Sequence, residues 1–158
     1  DMGASPGDVV GHLLESSPLM TTGTNLIDAA LARIKPDIGF DAKKLKGLGN
    51  LNGLRTSIPD GLKVAKLGRS TGKTTGTVKA FSIDGITVNF ELGNLLFDDQ
   101  IEIEGDGGPF SKGGDSGGLV VDQQNMAVGM LMAGAVGKTR SYANTLAIVF
   151  DKLKIKLL

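Results

Sequence analysis

Gly114-Asp115-Ser116-Gly117-Gly118 stands between two apolar stretches of β-strand character, Leu95 to Glu104 before it and Leu119-Val120-Val121 after it. A serine presented on a loop in this way is a candidate nucleophile, but its hydroxyl is weak at its free pKa and needs a base to take its proton. The glycines fit such a use. Gly114 lets the backbone turn so that its N–H and that of Ser116 point together at a developing oxyanion, and Gly117 and Gly118 leave room for a substrate carbonyl. His12 is the one imidazole in the chain, so the source of the base is the central question.

Outward from this loop the sequence has the rhythm of short strands. Leu62 to Leu67 alternates with period two, and Gly76 to Phe81 begins another extended stretch. Asp84-Gly85 separates Ala80-Phe81-Ser82-Ile83 from Ile86 to Phe90, which predicts a two-residue hairpin turn. Leu95 to Glu104 reads as one strand. Leu119 to Val121 and Ala127 to Met132 flank Asp122-Gln123-Gln124-Asn125 as a second hairpin, and Tyr142 to Val149 as a last strand. Phe150 to Leu158 is expected to close the chain as a short amphipathic helix. Before position 61, Val9 to Leu14 reads as a strand, and Leu26 to Ile34 is ambiguous between helix and strand. The Gly-, Asn- and Lys-rich residues 36–60 read as a connection. About six closely spaced strands from position 61 onward give the pattern of an antiparallel barrel or sandwich.

Composition narrows the function. Seventeen basic and seventeen acidic residues cancel, so no global field draws the chain to nucleic acid or an anionic membrane. The absence of cysteine excludes disulfides, a thiol nucleophile and thiolate-bound zinc. Without a run of about 20 apolar residues or a secretory leader the chain reads as soluble, and with no cysteine this tilts toward the cytoplasm without fixing the compartment. Gly68 to Thr74 falls one residue short of a phosphate-binding loop and precedes strands instead of a helix. Asp98, Asp99, Glu102, Glu104 and Asp106 lack calcium-loop spacing and read as a solvated strand face. Neither a cofactor nor a metal is expected. Lys43, Lys44 and Lys46 belong to the solvated connection.

Gly114 to Gly118 resembles the Gly-Asp-Ser-Gly-Gly signature of trypsin-like, chymotrypsin-fold serine peptidases. Gly68-Arg69-Ser70-Thr71-Gly72-Lys73-Thr74-Thr75-Gly76-Thr77-Val78 is similar to the segment that opens the second barrel in bacterial members, and Ile27-Asp28-Ala29-Ala30-Leu31-Ala32 to their motif around the triad aspartate. The resemblance spans most of residues 8–150. It implies an all-β, chymotrypsin-like antiparallel β-barrel fold: a remnant of the first barrel over 1–35, an inter-barrel linker over 36–60, and a complete second barrel with the short helix over 61–158.

Carried over by position, the resemblance makes Ser116 the nucleophile, Asp28 the carboxylate that orients an imidazole, and the amides of Gly114 and Ser116 the oxyanion hole. It places Phe110 near the base of the primary pocket and Met132, Ala133 and Gly134 along the substrate, an apolar lining that favours an apolar P1 residue. Met130 and Met132 read equally well as core fillers. Family order is His, Asp, Ser, and Val10-Gly11-His12-Leu13 lacks the family's histidine context, so His12 reads as an ordinary strand residue, with His12 itself as the base the alternative. The expectation is a peptidase acting on peptide or protein substrates, its histidine supplied by an upstream fragment and the chain alone weakly active. The alternative is a catalytically inactive, protease-like binding or scaffold domain.

Overall fold

The computed structural model describes residues 9–134 and 139–157. Its strands are β1 (Gly11–Ser16), β2 (Thr24–Asn25), β3 (Ala30–Ile34), β4 (Lys44–Leu45), β5 (Gly49–Asn50), β6 (Lys63–Gly68), β7 (Gly72–Ile83), β8 (Ile86–Phe90), β9 (Gly93–Phe97), β10 (Gln100–Gly105), β11 (Leu119–Asp122), β12 (Ala127–Gly134) and β13 (Arg140–Thr145). One helix, α1 (Leu146–Leu153), follows. Six strands close into an antiparallel barrel in the order β10, β13, β12, β11, β6, β7. This is a chymotrypsin-like barrel with one short helix behind it.

Alternation along each strand puts its apolar residues into the barrel. Val78, Ile101, Ile103, Phe110, Val120 and Ala143 are fully buried there. Closure matters as much as burial, because a barrel leaves no strand edge unpaired. A second apolar cluster lies outside the barrel, where Leu146, Val149 and Leu153 of α1, at helical spacing, meet Ile27, Ala29 and Ala127.

Within the ambiguous Leu26 to Ile34 stretch, Ala30–Ile34 forms a strand, β3, antiparallel to β1 with a bulge between Leu13 and Glu15. These two strands form a ribbon of their own, with Leu13 71% and Leu14 57% exposed. The 36–60 segment carries the small β4–β5 hairpin and then runs beside β12, where Leu54 bridges Ala127.

Three local expectations are corrected. Asp84-Gly85 is a corner between sheets: β7 pairs with β6 and β10, whereas β8 pairs with β9. The cause is a reciprocal lock with a second corner, since Asp98 accepts from the Gly85 amide at 2.9 Å and Asp84 from the Asp99 amide at 3.0 Å. That second corner, with Asp99 at φ 59°, splits Leu95 to Glu104 into β9 and β10. The last strand ends at Thr145 and the helix begins at Leu146, four residues earlier than the charge pattern predicts, because the 146, 149, 153 stripe is the one the second cluster buries.

Truncating Ile101 to alanine in the barrel core is expected to remove about 2–5 kcal/mol of stability. Leu13→Ala on the exposed ribbon should change it by no more than about 0.5 kcal/mol. Urea unfolding of the two variants measures both.

Candidate active site

The loop between β10 and β11 is built around the carboxylate of Asp115, not around the serine that follows it. Asp115 and Lys66 are both buried. Asp115 Oδ1 accepts the amides of Ser70 at 2.7 Å and Thr71 at 3.2 Å; Oδ2 accepts Thr71 Oγ1 at 2.7 Å, the Lys112 amide at 3.1 Å and Lys66 Nζ at 3.2 Å. Burial alone would raise this carboxyl's pKa, but hydrogen bonds from Thr71, Lys112, Ser70 and Lys66 outweigh it and hold the group well below the ordinary carboxylate range.

The lysine side is equally enclosed. Lys66 Nζ also donates to Thr71 Oγ1 and, at 3.3 Å, to Gly72 O, and it lies 5.9 Å from the centroid of the Phe110 ring. The approach requires glycine at 68, where a Cβ would stand 2.3 Å from Asp115 Oδ1. The tight turn from β6 to β7 is therefore a cradle for the carboxylate next to Ser116.

With Asp115 fixed, the loop around it has little freedom. Gly114 takes φ +94°, and a Cβ there would meet Ser70 Oγ at 2.5 Å. The Gly117 amide donates to Leu131 O at 2.8 Å, and Leu131 N–H returns to Gly118 O at 2.9 Å. The amides of Gly114 and Ser116 reach no acceptor among the described residues. Both amides of this held loop are thus left free to donate to a group outside it.

Ser116 Oγ donates to Met132 O at 3.1 Å. Met132 sits where the β12–β13 register shifts between Leu131 and Ala133, so its carbonyl is turned out of that ladder. Its side chain is mostly buried against Leu95 and Phe97; Ala133 is half-buried and Gly134 exposed. Beside Gly134 lies a buried hydroxyl pair, Ser111 Oγ and Ser141 Oγ, 2.7 Å apart. Phe110 is fully enclosed in the barrel core, its ring against Gly76 and its carbonyl accepting Thr74 Oγ1 at 2.7 Å. It presents no surface to a pocket, and the expected apolar pocket base is corrected accordingly.

Asp28 occupies the extended stretch between β2 and β3. Its amide donates to Asn144 Oδ1 at 3.1 Å, and Asn144 Nδ2 returns to Asp28 O at 3.0 Å. The half-buried carboxyl group itself has no hydrogen-bond partner among the described residues, and burial raises its pKa above the ordinary value. His12 lies on β1 opposite Arg33, exposed, its imidazole unpartnered among the described residues. No three His, Asp or Glu groups among the described residues are placed to hold a metal ion. Nor is any described helix long and apolar enough to cross a membrane.

Lys66 and Asn144 are the site residues that sequence reasoning missed. A lysine in an alternating strand reads as its solvent face, and a lone asparagine before Thr145 carries no motif.

Comparison with solved structures finds the same fold in several serine proteases. Cellulomonas bogoriensis chymotrypsin is 21% identical with a TM-score of 0.69, covering 94% of this chain and 75% of that one. Nocardiopsis protease is 20% identical with a TM-score of 0.64, covering 85% and 70%. A glutamic acid-specific serine protease is 21% identical with a TM-score of 0.68, covering 98% and 78%. At such identities the likeness defines a class by fold, the chymotrypsin-like proteins. Within it, residues 43–145 match the family described as the Nal1 C-terminal domain, and the chain belongs to that family. No curated protein matches the chain.

The two carboxyl groups predict opposite pH effects. Asp115, with its depressed folded pKa, contributes stability that is complete above about pH 4 and lost as pH falls toward its folded value. Asp115→Asn should lower stability at neutral pH and flatten the acid limb, and Lys66→Met, which strands the buried carboxylate, should cost about 3–5 kcal/mol. For Asp28 the folded pKa is raised, so its favourable contribution is present below the ordinary value near 4 and lost as pH rises through the raised one. Asp28→Asn is therefore expected to stabilise the protein at about pH 7 and to have no effect near pH 3. Urea unfolding across this pH range reads all three variants.

Proposed function

We propose that the chain carries the nucleophile, oxyanion hole and triad carboxylate of a serine endopeptidase that cleaves peptide or protein substrates through an acyl-enzyme on Ser116. The observation that carries this reading is the pair of unpartnered amides, Gly114 and Ser116, on a loop whose central carboxylate is held by five hydrogen bonds. Ser116 Oγ would attack the scissile carbonyl, the two amides would receive the oxyanion, and Asp28 would accept the ring N–H of the imidazole serving as base. Ala133 and Gly134, following the carbonyl that holds Ser116, would line the substrate.

His12, exposed on β1, is not that imidazole in this reading. A complementary β segment bearing a histidine would supply it, seated on the β1–β3 ribbon where Val10, Leu13, Leu14 and Ile34 are exposed. An upstream fragment completing the first barrel over the 1–35 remnant, with 36–60 as linker, fits this requirement. Without the base, activity falls on the order of 10⁶-fold, leaving roughly 10³ to 10⁴ over water from the oxyanion hole and binding. The one imidazole of the chain, on His12, is bonded to neither Ser116 nor Asp28 among the described residues, which favours a second reading, a protease-like binding domain without catalysis.

Reaction with an activated phosphonate, followed by mass spectrometry, separates the two. Labelling at Ser116 is expected in the full-length gene product, and in this chain when free imidazole is added. It should vanish in Ser116→Ala and weaken in Asp28→Asn. No labelling of a folded full-length protein under either condition would establish the binding domain instead.

A further inference from the structure

The backbone from Leu26 to Asp28 belongs to no strand, since β2 ends at Asn25 and β3 begins at Ala30. Its carbonyls and the Asp28 amide nonetheless have partners, because buried peptide groups left unpaired are costly. On one side Ser17 Oγ serves Ala29, accepting its amide at 3.0 Å and donating to its carbonyl at 3.1 Å. On the other side the partners are two side chains of the barrel. Gln100 Nε2 donates to Leu26 O at 2.9 Å, and Asn144 holds both the N–H and the C=O of Asp28.

Gln100 and Asn144 face each other across the β10–β13 ladder, and both are fully buried. Two adjacent carboxamides thus take the place of a strand, meeting alternate residues of the extended segment.

Core packing alone does not account for this pair. Gln100 donates a second bond, to Asp98 O at 2.8 Å, yet its Oε1 has no partner among the described residues. A leucine would fill the same space without an orphaned acceptor. What glutamine supplies and leucine does not is the pair of N–H donors, one of which holds Leu26. Asn144 spends both ends of its carboxamide on the backbone of a single residue 116 positions away in sequence. Asn144 also pairs with Met130 of β12, the strand whose Met132 carbonyl holds Ser116 Oγ. One sheet therefore carries the attachment of Asp28 and the attachment of Ser116.

We propose that Gln100 and Asn144 are positioning residues: their carboxamides fasten the Leu26–Asp28 backbone to the barrel and so fix where the Asp28 carboxyl group stands relative to Ser116. The catalytic consequence rests on the peptidase reading, whereas the fastening itself does not.

The test replaces each carboxamide with a near-isosteric apolar group, Asn144→Leu and Gln100→Leu, and reads two quantities. Carbon-detected NMR titration of Asp28, assigned by loss of its signal in Asp28→Asn, reports on the segment without requiring activity. Released from Asn144, Asp28 is expected to move toward solvent and its titration toward the ordinary carboxyl value. Phosphonate labelling of Ser116 in the imidazole-supplemented chain should fall on the order of 10- to 100-fold, the scale of a misplaced group. Should Asn144→Leu not fold, Asn144→Ser, polar but too short to span to the Asp28 peptide, gives the same readouts.

An Asp28 titration unchanged in a folded Asn144 variant would overturn the proposal, and so would restored titration with undiminished labelling. If wild-type and variant alike remain unlabelled while the titration moves, the fastening stands and the peptidase reading falls.

Discussion

The ion pair between Lys66 and Asp115 is the constraint on which the rest of the site depends. Removing two charges from water is expensive, and their attraction offsets that only when the remaining donors and acceptors are satisfied. Here the satisfaction comes from the turn between the first two barrel strands, through the amides of Ser70 and Thr71 and the Thr71 hydroxyl. The carboxylate fixes the loop before Ser116, and the glycine turn after Asp115 ties the loop to β12. A loop of this kind is organised before any ligand arrives, because its geometry is a by-product of burying a charge. Lys66 lies on β6 and its partners on the β6–β7 turn and the loop ahead of β11, all parts of one barrel.

The two aspartates of the site have opposite physics. Asp115 receives five hydrogen bonds and stays charged; Asp28 is partly withdrawn from water with none on its carboxyl group. A half-buried carboxylate without a donor works against stability, and such costs persist where a site needs the group available. In the proposed reading the missing donor is the ring N–H of an imidazole. Asp28 then has the character of a receptor whose cost is offset only once the base is in place. The same structure as a binding domain would retain that cost without compensation.

Much of the barrel was legible because period-two alternation survives in β10, short apolar runs mark β11 and β12, and the glycine-flanked serine marks its loop. What failed did so where a side chain overrode the local pattern. Asp84-Gly85 has the chemistry of a hairpin turn, but Asp98 and Asp84 bond across to each other's corners and redirect β8 onto β9. In β6 the lysine points inward and Leu67 outward, the reverse of what hydrophobicity alone assigns. That inversion makes sense only once Asp115, 49 positions away, is placed beside Lys66. Phe110 is expected near the pocket base from its place six residues before Ser116, yet the same lysine and Gly76 meet its ring in the core. Asn144 and Gln100 gave no signal, since an amide that bonds a backbone far along the chain leaves no local periodicity.

A common thread joins these exceptions. Lys66, Gln100 and Asn144 are polar residues at fully buried positions of the barrel, and each reaches out of its own strand to hold a segment that has no ladder of its own. Lys66 holds the loop of Ser116; Gln100 and Asn144 hold the stretch of Asp28. The barrel wall is thus the common reference for both, and the β1–β3 ribbon contributes neither attachment. A division of labour follows in physical terms: the closed sheet sets where Ser116 and Asp28 stand, and in the proposed reading an element packed on the ribbon need only present an imidazole between them. Because hydrogen bonds fix direction as well as distance, three buried polar side chains accomplish what a larger apolar contact would leave rotationally free.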